Sequence, residues 1–192
     1  YLEGPHLYHI GDWYYLLCAE GGTEYGHMVT LARAKTMRGP YEGCPDNPIL
    51  TNRNLGGYPA QGVGHGDLIR DARGDWWMLH LGFRQTSEYG QFHHLGREVF
   101  LTPARMTDDG WLALGDHGTA RLEVETDRFP EGTRQRLQRR FTFADTPWNL
   151  AWAYLRHPHA EHYELTPESA VLHGTSVTLD DVDSPTFIGF RQ

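Results

Sequence analysis

Glu3-Gly4-Pro5-His6-Leu7-Tyr8-His9-Ile10-Gly11-Asp12-Trp13-Tyr14-Tyr15-Leu16-Leu17-Cys18-Ala19 reads as a β-hairpin. A short strand over 6–10 meets the two-residue turn Gly11-Asp12, and an aromatic-rich strand follows over 13–19. Just ahead of it, Leu2-Glu3-Gly4-Pro5-His6 sets a carboxylate beside a Gly-Pro corner. Proline fixes the backbone there and glycine leaves the approach clear, so Glu3 suits presentation to a ligand at the rim of a sheet. The same five residues also read as a surface glutamate before a turn.

Outward from the hairpin, the glycines of 21–26 cannot hold a strand interior and read as a loop. A third strand runs over 27–34, Gly39-Pro40 closes a turn, and Tyr41-Glu42 starts an edge strand. The Pro-, Asn- and Gly-rich stretch 45–59 is a loop. The pattern then begins again: a strand over 64–70, a turn over 71–75, an aromatic strand over 76–82, a polar loop over 84–95 and a third strand over 96–105. Asp108-Asp109-Gly110-Trp111 turns into the fourth. Aligning Trp13 with Trp76 puts the two copies 63 residues apart. Four short strands in series also fit a sandwich, but a repeated four-stranded antiparallel unit points to propeller blades. The expected class is all-β, with neither copy holding a convincing helix.

Past residue 115 the character changes. Residues 116–132 are polar, include the Phe129-Pro130-Glu131-Gly132 corner, and read as a linker. Strand candidates follow over 134–143, 149–156, 163–165, 170–172 and 186–190, the spacing of a sandwich that is incomplete within 133–192. The expected layout is propeller blades over 1–115, a linker over 116–132 and part of a β-sandwich beyond. The chain starts at Tyr1 and ends on a strand candidate, and is expected to be a piece of something longer.

Composition narrows the partners. A net charge of −8 argues against nucleic acid, which needs a basic face. No apolar run is long enough to cross a bilayer. Two cysteines, Cys18 and Cys44, are too few for a disulfide framework and are expected reduced. No glycine-rich loop follows a strand and opens a helix, so nucleotide binding has no support.

His27, His65 and Arg97 each stand just after a glycine at the expected start of a blade strand, where loops from different blades converge on a propeller's channel. An arginine there offers a planar, permanently charged fork for hydroxyls or a carboxylate. Singly, each also reads as a satisfied structural residue. His157, His159 and His162 have the look of a metal cluster but sit in a loop-like stretch with a proline and no cysteine, so they read as a solvated turn. His93-His94 is a loop pair. Trp13, Trp76 and Trp77 lie mid-strand and read as core.

Glu3-Gly4-Pro5-His6, Ala19-Glu20-Gly21-Gly22-Thr23 leading to His27, Ala32-Arg33, Gly39-Pro40-Tyr41-Glu42, Pro45-Asp46-Asn47-Pro48-Ile49-Leu50, Gly64-His65-Gly66-Asp67-Leu68, Leu95-Gly96-Arg97-Glu98 and Thr107-Asp108-Asp109-Gly110-Trp111 together resemble glycoside hydrolase family 43. The likeness is to its β-xylosidase and α-L-arabinofuranosidase branch, and Ser184-Pro185-Thr186-Phe187-Ile188-Gly189 is similar to a segment of that branch's β-sandwich. The resemblance implies a five-bladed propeller and inverting hydrolysis of terminal xylose or arabinose from plant-wall oligosaccharides. It makes Glu3 the general acid, places His27 and His65 beside the substrate, and gives Arg97 the sugar hydroxyls. No cofactor is required on this reading, with calcium or water in the central channel near His65 left open. The family's base aspartate and the aspartate that tunes the acid lie in blades ahead of the glutamate motif, so this chain carries the acid without the base. Asp67 is set aside as a base because it is expected to face away from His65. Expected partners are a xylo- or arabino-oligosaccharide and the missing N-terminal blades, with no membrane partner and with self-association of exposed blade edges left open. The rival reading is a non-catalytic carbohydrate-binding β-protein in which Glu3 and Arg97 only hydrogen-bond a ligand.

Overall fold

Alternation and turn chemistry give the first sheet directly. In the structure, a computed structural model that describes residues 1–88, 92–129, 132, 152–166 and 168–190, β1 (Glu3–Ile10), β2 (Trp13–Glu20), β3 (Met28–Ala34) and β4 (Glu42–Gly43) form one antiparallel sheet in chain order. Gly11, at φ 59°, makes the β1–β2 turn as only a residue at ease in the left-handed region would. The second sheet repeats the plan with β5 (Ala60–Arg70), β6 (Trp76–Arg84), β7 (Glu98–Met106) and β8 (Leu112–Leu114). The described residues contain no α-helix.

One expectation is corrected here. Gly64 was read as the start of a strand and His65 as a strand-start residue, yet β5 begins at Ala60 and His65 lies inside it. Gly64 is paired with Leu81, and the β5–β6 register shifts on either side of it, between Gln61 and Gly64 and again between Gly64 and Asp67. His27 and Arg97 do immediately precede β3 and β7.

The two sheets share a core. Tyr15, Leu17, Val29, Leu31 and Leu50 from the first copy pack in one cluster with Val63, Leu68, Met78, Leu112 and Leu114 from the second. A polar tie spans the same boundary. The Arg33 guanidinium lies 4.3 Å from the Trp13 ring centre and 3.8 Å from that of Trp111. It donates to the Glu42 carboxylate at 2.7 Å and to the carbonyls of Asp109 and Gly110 at 2.8 and 2.9 Å. The Tyr15 hydroxyl donates to the Gly110 carbonyl at 2.6 Å. The turn before β8 is thereby held to β2 and β3.

Contacts divide the chain into one unit over Tyr1–Pro130 and another over Glu131–Gln192. Most of the stretch expected as a linker runs along the first unit. Ala120 is fully buried there and exchanges two hydrogen bonds with the Asn52 side chain, at 2.9 and 3.0 Å. Arg128 pairs with Asp75 at 3.1 Å and Phe129 meets the Trp77 ring. In the second unit β9 (Trp152–Ala153), β10 (Tyr163–Leu165), β11 (Ala170–Leu172) and β12 (Gly189–Phe190) form two short antiparallel pairs, β10 with β11 and β9 with β12. The strand expected over 134–143 lies outside the described residues. Tyr163 anchors this unit by donating to the Phe187 carbonyl and accepting from the Phe187 N–H. Cys18 and Cys44 are buried free thiols, and burial pushes both pKa values up.

His80, on β6, is 2% exposed and bonds the Thr102 hydroxyl at 2.9 Å. Burial lowers its pKa to about 4. An unfolded histidine titrates near 6.5, so the unfolded chain takes up protons that the folded chain refuses between those values. Stability is full above about pH 6.5 and falls as pH drops toward 4. The linkage predicts a loss of about 2 kcal/mol between pH 7 and 5 from His80. Urea unfolding at the two pH values should show the loss in the native chain and a clearly smaller one in His80→Gln. The same loss in both would contradict the assignment.

Candidate active site

Glu3 opens β1 at the corner where the β1–β2 register slips, between Glu3 and His6. Gly4 makes that corner with φ at 54°, and a Cβ placed on it would stand 2.5 Å from His65 Nε2. The position therefore demands glycine for its backbone angle and for the approach of His65. The two innermost strands run the same way, because Glu3 meets His65 while Tyr8 meets Asp67 further along.

The facing wall is β5 in its irregular stretch. Gly62 has φ 60°, and His65 sits at φ 52°, the left-handed region that non-glycine residues seldom occupy. Held strain of that kind needs surroundings that over-determine it, and His27 supplies much of them. Its ring is fully buried and presses on Gly64, where a Cβ would fall 2.6 Å from the imidazole. His27 Nδ1 lies 2.9 Å from the Gly62 carbonyl. A carbonyl only accepts, so Nδ1 carries the proton and Nε2 keeps its lone pair. Burial is the main cause holding the His27 pKa below the usual range, and the charges of His65 and Arg97 push the same way. The Gly62 hydrogen bond and Glu3 pull against it.

His65 Nδ1 stands 3.9 Å from Glu3 Oε1, with the Glu3 side chain 44% exposed and that of His65 37%. The His27 and His65 rings meet edge-on, 6.4 Å between centres. One polar atom from each of Glu3, His27 and His65 lies within 4.8 Å of the others. Three of the four residues singled out in the sequence thus meet at one place, and Arg97 is close enough to act on His27 through its charge. Beside it, Glu98 pairs with Arg84, which lowers the Glu98 pKa.

A calcium ion takes six to eight oxygen ligands. This cluster offers one carboxylate and two imidazoles, so these three side chains do not by themselves fit that ion.

The register of β5 shifts between Gly64 and Asp67, so regular two-residue alternation does not decide how Asp67 faces relative to His65. What commits Asp67 is Tyr8, whose hydroxyl donates to its carboxylate while accepting the Leu68 N–H at 2.9 Å. His6 Nδ1 adds a contact at 3.6 Å. Desolvation and this carboxylate push the Tyr8 pKa up. That link between β1 and β5 was not foreseen, since only the pairing of the two strands reveals it. His93 stacks on Phe83 at 4.5 Å. His159 and His162 lie with their rings 5.5 Å apart around a 3-10 turn, with Glu161 near His159.

Two antiparallel four-stranded sheets around a shared core, with a glutamate and histidines where their inner strands meet, define propeller blades carrying a polar site. The chain belongs to the glycosyl hydrolases family 43, whose family model matches residues 1–112. It is 40% identical over 192 residues to the non-reducing end alpha-L-arabinofuranosidase BoGH43B of Bacteroides ovatus, covering 99% of this chain and 36% of that protein. It is 37% identical over 198 residues to a xylosidase/arabinosidase of Butyrivibrio fibrisolvens, covering 99% of this chain and 37% of the relative. Among solved structures, the Bacteroides ovatus xyloglucan PUL GH43B superposes with a TM-score of 0.89 at 39% identity, over 100% of this chain and 38% of that one. A xylan beta-1,4-xylosidase from Bacillus halodurans C-125 does so with 0.87 at 35%, over 100% and 37%. The chain therefore spans a little over a third of the length of these relatives.

Proposed function

We propose that this chain supplies the acid-bearing part of an inverting glycosidase that removes terminal xylose or arabinose from plant-wall oligosaccharides. The observation that carries the reading is Glu3, presented by a glycine-proline corner and faced by His65 and His27, inside the stretch that matches the family. The names of the relatives, arabinofuranosidase and xylosidase/arabinosidase, support the substrate class.

In the proposed reaction Glu3 arrives protonated and gives its proton to the glycosidic oxygen as the bond to the sugar breaks. A carboxylate base activates a water on the opposite sugar face, and an inverting pair stands roughly 6.5–9.5 Å apart to leave room for it. His65 and Arg97 hold the sugar hydroxyls, the arginine by its two-pronged donor geometry. The base belongs to sequence that precedes the glutamate motif in the family.

Two results test this. In a protein that joins this chain to such preceding blades, Glu3→Gln should lower turnover of unactivated xylosides by about 10²–10⁴-fold. Nitrophenyl substrates, whose leaving groups need little protonation, should suffer far less, and an equal loss on both would count against the acid role. The 192-residue chain by itself should hydrolyse neither nitrophenyl xyloside nor nitrophenyl arabinofuranoside. Turnover by the chain alone, abolished by Glu3→Gln, would show that it contains a base.

A further inference from the structure

Every other buried side-chain nitrogen or oxygen among the described residues has a hydrogen-bond partner, whereas His27 Nε2 has none. Leaving a buried acceptor unpaired costs roughly 1–3 kcal/mol. The ring cannot relieve this by exchanging its nitrogens, because Nδ1–H is committed to the Gly62 carbonyl and the ring is wedged on Gly64. Nor does it relieve it by taking up a proton, since burial favours the neutral form. Nε2 is thus a fixed lone pair facing a group that must donate to it.

We infer that His27 is a positioning residue for Glu3, acting through one water that its Nε2 orients between Glu3 and His65. This rests on the reading of Glu3 as the acid. The size of the cluster selects water. Three atoms no more than 4.8 Å apart leave a point at most about 2.8 Å from each, within the length of a hydrogen bond. A tetrahedral zinc ion with its ligands at about 2.0–2.2 Å would draw them to about 3.4 Å apart, nearer than the 3.9 Å between His65 and Glu3. That same 3.9 Å is too long for a direct hydrogen bond and is a separation that one bridging water would close. A buried water typically makes about three hydrogen bonds, and three partners are present.

The polarity of this water follows from His27. One of its hydrogens goes to Nε2, and the other is left for Glu3. The arrangement requires His65 as its Nδ1–H tautomer, whose N–H the water oxygen accepts. A carboxyl oxygen that accepts from the water serves as the carbonyl oxygen of the protonated acid, so the proton is carried by the other oxygen, free to meet the glycosidic bond. His27 would thereby choose which Glu3 oxygen is the acid without touching the sugar.

The test uses two replacements in the protein joined to its preceding blades. His27→Asn keeps an amide N–H for Gly62 but lacks an acceptor at the Nε2 position, while His27→Gln reaches that position. The asparagine variant should lose roughly tenfold or more in kcat with KM within about twofold, and glutamine should restore most of it. A rise in KM at unchanged kcat would mean a sugar contact, and an equal loss in both variants a packing role; either overturns the inference. Nitrogen-15 NMR of the native chain provides a readout independent of turnover: His27 should be the neutral Nδ1–H tautomer at pH 7, and the Nε2–H tautomer would overturn it. Glu3→Gln is run alongside. If it is silent, the acid assignment falls, whereas a damaging Glu3→Gln beside a silent His27→Asn sinks this inference alone.

Discussion

The arrangement depends on one close contact, the imidazole of His27 against the bare backbone of Gly64. Protein interiors are packed so tightly that a single methyl at such a place must move something. Here the imidazole occupies the volume a Cβ would need. The ring in turn is fixed by the Gly62 carbonyl. Between them the two contacts hold β5 in a bulged path, and the bulge turns His65 into the left-handed conformation that faces Glu3. The same device thus places one wall of the site and pins a histidine tautomer within it.

The other supports act on the same boundary between sheets. Tyr8 ties β1 to β5 through Asp67 and the Leu68 amide. Arg33, layered between two indoles, holds the turn before β8 to β2 and β3. Arginine suits that place because its flat guanidinium stacks on rings while its N–H groups reach carbonyls in the plane. Together with the shared apolar cluster, these ties let two blades present Glu3, His27 and His65 as a set. Such fixed placement is what the proton transfer proposed for Glu3 would require, more than the strength of any single contact.

Much of this was legible in the sequence. The hairpin at Gly11-Asp12, the repeat that puts Trp76 where Trp13 stands, and the bounds of β10 and β11 follow from turn residues and alternation. Three of the four site residues, Glu3, His27 and His65, could be named because each lies next to a glycine near a strand, and they meet in space. Glycine was also where the reading went astray: Gly64 looks like the start of a strand, but it lies inside β5, where Gly62, Gly64 and Gly66 admit a neighbouring ring or sulfur to the backbone, as Met78 does at Gly66. Residues 116–129 are polar and looked unattached. Their anchors, Asn52 for Ala120 and Trp77 for Phe129, are more than fifty residues away along the chain, and no local pattern reveals them. Nor does any local pattern reveal the partner of Asp67, since Tyr8 lies on another strand.

The claim that His27 and Gly64 form one device is tested most directly by a double-mutant cycle on unfolding free energy. Gly64 lies outside the left-handed region, so Gly64→Ala carries no backbone penalty and its cost should come from the imidazole alone. Overpacking of this kind typically costs 1–3 kcal/mol. The account predicts such a loss for Gly64→Ala in the native chain and a cost smaller by at least about 1 kcal/mol when His27→Ala is already present. Strictly additive effects of the two substitutions would contradict it.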